Sequence, residues 1–208
     1  MEAFREVKAV IFDMDGTLIE AKDWHFEALN DALEIFGESI SRQEHEETFD
    51  GLPTREKLSM LTNQGRIPAH LHSIISKVKQ ERTIRRVVSQ CFPVVQQLLM
   101  MAWIQDHGMK IAVATNSIRN SAQVMLTSAG LIDFLDVLVT NEDVSRSKPD
   151  PEMYALTVNR LGLEPGDCLV IEDHEYGIEA AREAGCRFYK IEGVCDLNTS
   201  LIHGLIDK

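Results

Sequence analysis

The stretch that decides the fold is Val10–Leu18, which reads VIFDMDGTL. Its apolar start predicts a buried strand that ends at two acids. Asp13 and Asp15 lie two residues apart, so their side chains point the same way from a strand end. Two carboxylates this close repel each other, and a divalent cation bound by oxygen ligands, typically Mg²⁺, removes that repulsion. Gly16 then allows the backbone to turn sharply, so the stretch predicts a strand that delivers paired acids to a turn.

Four further apolar runs predict strands, and the runs between them have helical periodicity. Strands that are apolar without alternation are typical of a parallel sheet covered by helices on both faces. Strand alternating with helix predicts an α/β fold with a doubly wound, Rossmann-like parallel sheet. The predicted strands are Val7–Phe12, Lys110–Ala114, Val137–Thr140, Cys168–Ile171 and Arg187–Ile191; the helices between the later ones are Ile118–Ala129, Pro151–Leu161 and Glu175–Ala184.

Residues 20–90 interrupt this rhythm, because they contain helical patterns and no convincing strand. The predicted helices there are Trp24–Phe36, Ser41–Glu47, Thr54–Thr62 and Leu71–Val88. We therefore expect a catalytic core formed by residues 1–19 and 91–208, with residues 20–90 as an inserted α-helical cap. Ligands bind at the carboxyl ends of the strands in such sheets, and an insertion directly after the first strand is expected to cover those ends.

Polar residues with useful chemistry follow three more of the predicted strands. Thr115 and Asn116 follow the second strand, Lys148 follows the third, and Glu172 and Asp173 follow the fourth. Hydroxyl, amide and ammonium groups suit a phosphoryl group, and the acids extend the predicted metal site. Because the carboxyl ends of parallel strands meet at one edge, all of these side chains are expected to converge there.

Composition and charge narrow the class of partner. The net charge of −12 argues against a nucleic-acid binder but permits a small phosphorylated ligand held by local cations. The four cysteines have no metal-ligand spacing, and Cys91, Cys168 and Cys186 are expected to be buried thiols. No signal-like leader or membrane-length apolar run is present, so we expect a cytoplasmic monomer without a membrane partner.

From Val10 to Ile191 the motifs resemble the haloacid dehalogenase superfamily of phosphotransferases, specifically its members with a small helical cap. The pattern is most similar to the β-phosphoglucomutase-like phosphatases, on the runs Asp15–Glu20, Trp24–Phe26 and Gly51–Glu56. The dehalogenases themselves lack an acid at the position of Asp15 and need no metal.

The resemblance implies a role for each motif residue. Asp13 would attack phosphorus to form an aspartyl-phosphate, while Asp15 would protonate the leaving oxygen and later activate water. Magnesium would be held by Asp13, the backbone carbonyl of Asp15 and Asp173, with Glu172 in the same group. The phosphoryl oxygens would be held by Thr115, Asn116 and Lys148.

In the insertion, the resemblance suggests that His25 lies near the catalytic acid and that Arg55 contacts substrate. The other basic side chains, Lys77, Lys79, Arg82, Arg85 and Arg86, are expected to form a solvated helix face. The alternative is that one or two of them reach into the cleft and bind a second anionic group. The related mutases carry a cation just before the cap glycine, where this chain has Asp50. This difference favours a phosphatase over a mutase.

The sequence therefore predicts a Mg²⁺-dependent phosphatase of a small phosphorylated metabolite, such as a sugar phosphate. The alternative is a β-phosphoglucomutase-type isomerase that returns the phosphoryl group to another hydroxyl. A catalytically silent binding protein would be expected to lack one of Asp13, Asp15, Lys148 or Asp173, and all are present.

Overall fold

A computed structural model describes residues 6–206 of the chain. The segment from Met1 to Lys8, predicted to contain no leader peptide, lies mostly outside these residues. The described chain divides into two compact units. One runs up to Glu20 and resumes at Phe92, and the other is Ala21–Cys91. We call the first the core unit and the second the helical insertion.

The core unit is built on a parallel sheet, with five strands within residues 6–206 in the order β3-β2-β1-β4-β5. In the sheet, β2 and β3 lie in turn on one side of β1, and β4 and β5 lie in turn on its other side. The strands are β1 Ala9–Phe12, β2 Lys110–Ala114, β3 Val137–Val139, β4 Cys168–Glu172 and β5 Arg187–Lys190. The predicted doubly wound parallel sheet is thus confirmed.

The register of β1 and β4 decides which side chains meet at the carboxyl edge. Phe12 pairs with Ile171, and the backbone amide of Asp13 donates to the carbonyl of Ile171 at 3.0 Å. Asp13 and Glu172 therefore leave the sheet side by side. Since side chains alternate, Asp13 shares a face with Ile11, and Glu172 shares a face with Val170. Ile11 and Val170 belong to one apolar cluster, so both acids lie on the same face.

The helices of the core unit pack in two groups. On the face of that apolar cluster, α7 and α8 pack against each other and against the sheet. Elsewhere α5 packs against β2 and against α9, and α6 precedes β3 in the chain. These helices are α5 Val95–Asp106, α6 Arg119–Ser128, α7 Glu152–Leu161, α8 Glu175–Glu183 and α9 Thr199–Ile206.

The helical insertion has its own apolar core, formed by side chains such as Leu29, Leu33, Phe49, Leu58 and Ile75. Within it α1 packs along α4 over much of its length. Its helices are α1 Lys22–Glu34, the short turn α2 Arg42–Glu44 with a wider turn at His45–Phe49, α3 Thr54–Asn63 and α4 His72–Gln90.

Most predicted helices are present with ends shifted by a few residues, but the bounds of α5 and α9 were not predicted. Within residues 6–206 none of the four cysteines forms a disulfide, and Cys91, Cys168 and Cys186 are buried as expected. Among the same residues, no single helix has the length and apolar character to cross a membrane; one pair of consecutive helices meets that test only when taken together.

Candidate active site

The centre of the site is a buried lysine that contacts two carboxylates. Lys148 Nζ donates to Asp13 Oδ1 and to Glu172 Oε1, each at 2.7 Å. Asp13 is 8% exposed, Lys148 4% and Glu172 1%. Solvent therefore screens these charges little, and their attraction is much stronger than that of a surface ion pair.

Each oxygen of the Glu172 carboxylate accepts two hydrogen bonds. Oε1 accepts from Lys148 Nζ and from the hydroxyl of Tyr154 at 2.8 Å. Oε2 accepts from the backbone amides of Asp173 and His174, at 3.1 and 3.2 Å. The carboxylate also lies directly on Gly177 of α8, where an added Cβ would stand 1.6 Å from Oε1. The orientation of Glu172 is thus fixed from every side.

Three carboxylates form a group with the composition of a hard-cation site. Oxygens of Asp13, Glu172 and Asp173 all lie within 4.8 Å of one another. Such a set of close oxygen donors fits Mg²⁺, which prefers carboxylates and retains water ligands. Because Glu172 already accepts four donors, Asp13 and Asp173 are the members better placed to hold the ion.

Burial and neighbouring acids act together on the nucleophile candidate. Burial raises the pKa of Asp13 well above its usual range, Lys148 opposes this, and Glu172, Asp173 and Asp15 add to the rise. For Lys148, burial favours the neutral form, but Asp13 and Glu172 outweigh it and raise the pKa. Lys148 therefore stays charged, and the excess of acids at this edge favours a bound cation.

Asp15 is held on the other side of the site by hydroxyl groups that follow β2. Its Oδ2 accepts a hydrogen bond from Ser117 Oγ at 2.7 Å, and Thr115 Oγ1 lies 3.5 Å away. Gly16 has φ 93°, a left-handed conformation that favours glycine, and it forms the turn after Asp15. Thr17, two residues beyond Asp15, donates to Asp173 Oδ1 at 3.2 Å and so connects the β1 turn to the end of β4.

The loop that carries Lys148 is fixed at both ends. Asn116 Oδ1 accepts from the backbone amide of Lys148 at 3.2 Å. At the start of the loop, Asp143 accepts from the backbone and hydroxyl of Thr140, each at 2.8 Å, and forms ion pairs with Arg119 and Arg160. Burial favours the protonated form of Asp143, but these partners outweigh it and lower its pKa to about 2. The loop is therefore fastened to α6 and α7.

The two candidates in the helical insertion have different surroundings. His25 Nδ1 lies 2.9 Å from Nζ of Lys79, which is 7% exposed. The prediction that Lys79 belongs to a solvated face was wrong, because it lies on the side of α4 that packs against α1. Arg55 is exposed, and its guanidinium group lies 4.0 Å from the carboxylate of Glu56. Asp50 accepts from the amide of Gly51 at 3.0 Å.

Sequence reasoning assigned no role to three residues that complete the site. Ser117 directly follows Thr115 and Asn116, but its contact with Asp15 depends on how the loop after β2 turns. Tyr154 has the pattern of an ordinary buried helix residue. Gly177 gave the one available signal, since a glycine inside a helix costs about 1 kcal/mol relative to alanine and usually has a packing reason.

The chain matches a known protein family over most of its length. The family model described as "Haloacid dehalogenase-like hydrolase" matches residues 10–191. The chain is 34% identical over 182 residues to a phosphorylated carbohydrates phosphatase of Thermotoga maritima, covering 86% of this chain and 82% of that protein.

Two further similarities concern mutases. The β-phosphoglucomutase of Bacillus subtilis is 29% identical, over 86% of this chain and 80% of that protein. The crystal structure of a β-phosphoglucomutase from Clostridium difficile superimposes with a TM-score of 0.83, at 18% identity and 97% coverage of both chains, and so shares the fold. The match to the family model extends over most of the chain, and the chain therefore belongs to the haloacid dehalogenase-like hydrolases, in the branch of the β-phosphoglucomutase-like phosphatases.

Proposed function

We propose that this hydrolase is a Mg²⁺-dependent phosphatase that acts on a small phosphorylated metabolite, most suitably a sugar phosphate, through an aspartyl-phosphate on Asp13. The observation that carries the proposal is the contact between the Asp13 carboxylate and the Lys148 ammonium group, at 2.7 Å, beside the acids Glu172 and Asp173. A carboxylate with a fixed cation at its side is suited to attack a phosphoryl group while the cation stabilises charge on the phosphoryl oxygens.

In the first step an oxygen of Asp13 forms a bond to phosphorus as the bond from phosphorus to the ester oxygen breaks. Asp15 gives its proton to that departing oxygen, which leaves as the free alcohol. In the second step Asp15 takes a proton from a water molecule as the water oxygen bonds to phosphorus. The bond from Asp13 to phosphorus breaks, and inorganic phosphate leaves with Asp13 restored.

Other side chains position these groups. Ser117 and Thr115 orient the Asp15 carboxyl group from the β2 side. Lys148 and Asn116 are suited to bind phosphoryl oxygens, with Asn116 also fixing the backbone of Lys148. When bound by Asp13, the Asp15 carbonyl and Asp173, Mg²⁺ would supply positive charge that offsets repulsion between the acids and the phosphoryl group.

The substrate class is suggested by the relatives. The similar protein of Thermotoga maritima is named for phosphorylated carbohydrates, and a small polar substrate suits an acidic chain with few local cations. We also propose that the helical insertion, which corresponds to the cap expected at residues 20–90, selects the substrate through His25 and Arg55.

A β-phosphoglucomutase-type transfer is the second candidate, and the pair formed by His25 and Lys79 favours it. A histidine whose ring is oriented by a buried lysine is suited to form a hydrogen bond with a sugar hydroxyl. Asp50 favours hydrolysis, since it places negative charge where the mutases carry a cation. The two reactions differ only in whether water or a second hydroxyl accepts the phosphoryl group.

The test is release of inorganic phosphate with Mg²⁺ from a panel of hexose 1-phosphates and 6-phosphates, pentose phosphates and other metabolites. We expect release by the wild type, its loss in Asp13→Asn, and its retention in Asp133→Asn, which removes an exposed carboxylate of the core unit. Phosphorus NMR of the same mixtures would detect isomerisation. Isomer without phosphate would establish the mutase, and release that persists in Asp13→Asn would contradict the assigned nucleophile.

A further inference from the structure

Tyr154 is a buried tyrosine of α7 whose hydroxyl points at the active site rather than at water. It is fully buried within the apolar cluster between α7, α8 and the sheet, and its hydroxyl donates to Glu172 Oε1 at 2.8 Å. A buried hydroxyl needs a partner, yet a phenylalanine would fill the same apolar space without this requirement. The hydroxyl therefore has a role that packing does not explain.

We propose that Tyr154 is a positioning residue for Lys148, acting through Glu172. The same oxygen, Glu172 Oε1, accepts from Tyr154 and from Lys148 Nζ. The hydroxyl thus determines where that oxygen stands, and the oxygen determines where the ammonium group stands relative to Asp13, which it contacts at 2.7 Å. The inference rests on the proposed phosphatase function, in which Lys148 stabilises the phosphoryl group.

The remaining contacts show why the hydroxyl is needed. The backbone amides of Asp173 and His174 hold Oε2 of Glu172, at 3.1 and 3.2 Å, which fixes one end of the carboxylate. Rotation about that end would carry Oε1 away from Lys148, and the hydroxyl of Tyr154 opposes this rotation. Gly177 lies against the carboxylate and leaves space for it because it has no side chain. It therefore does not replace the hydrogen bond that Tyr154 donates.

The aromatic ring makes a second contact with the lysine. Lys148 Nζ lies 4.7 Å from the centroid of the Tyr154 ring, within the range of a cation–π interaction. A tyrosine phenol is protonated at neutral pH, so the hydroxyl is available as a donor to Glu172. The ring and the hydroxyl therefore make separable contributions, one to Lys148 directly and one through Glu172.

The variant Tyr154→Phe removes the hydroxyl and keeps the ring. Its matched control is Thr157→Val, because Thr157 lies on the same helix, is fully buried, and uses its hydroxyl only locally, on the carbonyl of Met153 at 2.8 Å. Both variants lose one buried hydroxyl. We expect Tyr154→Phe to lower kcat about tenfold with KM changed less than about twofold, and Thr157→Val to keep both values. An equal fall in kcat in both variants would show that Tyr154 contributes only to packing, and would overturn the proposal.

A double-mutant cycle tests the route through Glu172. If Tyr154 acts only by orienting that carboxylate, Tyr154→Phe made in a Glu172→Gln background should change kcat by less than about twofold. An unchanged tenfold effect in that background would contradict the route.

A crystal structure of Tyr154→Phe separates this inference from the proposed function, because it needs no turnover. We expect Glu172 to rotate and its contact with Lys148 to lengthen, while Thr157→Val keeps that contact. Absence of phosphate release by the wild type would refute the proposed phosphatase only. Retention of both Lys148 contacts at their original length in Tyr154→Phe would refute the role of Tyr154 whether or not the wild type is active.

Discussion

The core unit and the helical insertion carry their candidate functional residues in different ways. In the core unit each residue ends or follows a strand, and strand pairing fixes its neighbours: Phe12 pairs with Ile171, so Asp13 and Glu172 stand together. In the insertion, His25 lies on α1 and Arg55 on α3. Helices are not paired residue by residue as strands are, so the positions of these two side chains relative to each other do not follow from the sequence. His25 has a buried partner in Lys79, whereas Arg55 is exposed. Polar residues that end neighbouring strands are thus much stronger predictors of a shared site than polar residues on helices.

The largest effect is expected from a substitution that disturbs the packing around Glu172 in the core unit. In Gly177→Ala the added methyl group would stand 1.6 Å from Glu172 Oε1, so either the carboxylate or α8 must move. We expect kcat to fall about a hundredfold and the free energy of unfolding to fall by about 2 to 4 kcal/mol, because Lys148 loses one of its two carboxylate partners.

The matched control is Gly204→Ala in α9, where an added Cβ meets no atom of residues 6–206 within 4 Å. The helix propensity of alanine should raise the free energy of unfolding by up to about 1 kcal/mol and leave kcat unchanged. Urea unfolding and phosphate release measure both variants. Equal effects of the two substitutions would show that Gly177 is an ordinary helix position and that Glu172 is not held as described.

The next largest effect concerns Mg²⁺ binding by the three carboxylates of the core unit. Asp173→Asn keeps the shape of the side chain and its contact with Thr17 but removes a charge from the group of acids. Because Mg²⁺ binds carboxylate more strongly than amide oxygen, we expect the Mg²⁺ concentration for half-maximal activity to rise at least about tenfold. Asp133→Asn serves as the control. An unchanged Mg²⁺ requirement in Asp173→Asn would remove Asp173 from the proposed ligands.

These contrasts show what the sequence contained. Four groups were predictable because each lies at or beyond the carboxyl end of an apolar strand in a parallel sheet: the acids of VIFDMDGTL, the hydroxyl after β2, Lys148, and the acids at the end of β4. The contacts of Ser117, Tyr154 and Gly177 were not predictable. They depend on how a loop turns and on how α7 and α8 lie over the sheet, and helical periodicity identifies only the buried face, not the partner a hydroxyl will find there. Lys79 was misjudged for a different reason: it lies on the buried stripe of α4 with Ile75, Thr83 and Val87, whereas its charge suggested a solvated position.

The smallest effect belongs to the helical insertion and concerns stability. His45 is buried, and burial lowers its pKa to about 4; Lys57, Arg42 and His25 also lower it, while Asp50 opposes them. The unfolded chain takes up a proton near the ordinary value of about 6.5, so the folded state loses stability as pH falls from there to about 4. The loss attributable to His45 should be about 2 to 3 kcal/mol.

We expect His45→Gln to flatten this part of the pH dependence of the unfolding free energy, measured by urea denaturation between pH 7 and pH 4. His70→Gln is the control, because His70 is exposed in the same unit. Other acids titrate in both proteins, so the difference between variant and wild type is the quantity to compare. Parallel curves for wild type and His45→Gln would contradict a buried neutral His45.

The central claim, that Asp13 carries the phosphoryl group, is tested most directly by trapping the intermediate. The protein is mixed with Mg²⁺ and the best substrate of the panel, quenched within milliseconds, and reduced with borohydride, which converts an acyl phosphate to an alcohol. Peptide mass mapping then identifies the modified residue. We predict reduction at Asp13 only in the presence of substrate, and none in Asp13→Asn. Sustained turnover with Asp13 unmodified at every quench time, or with another residue modified, would contradict the account.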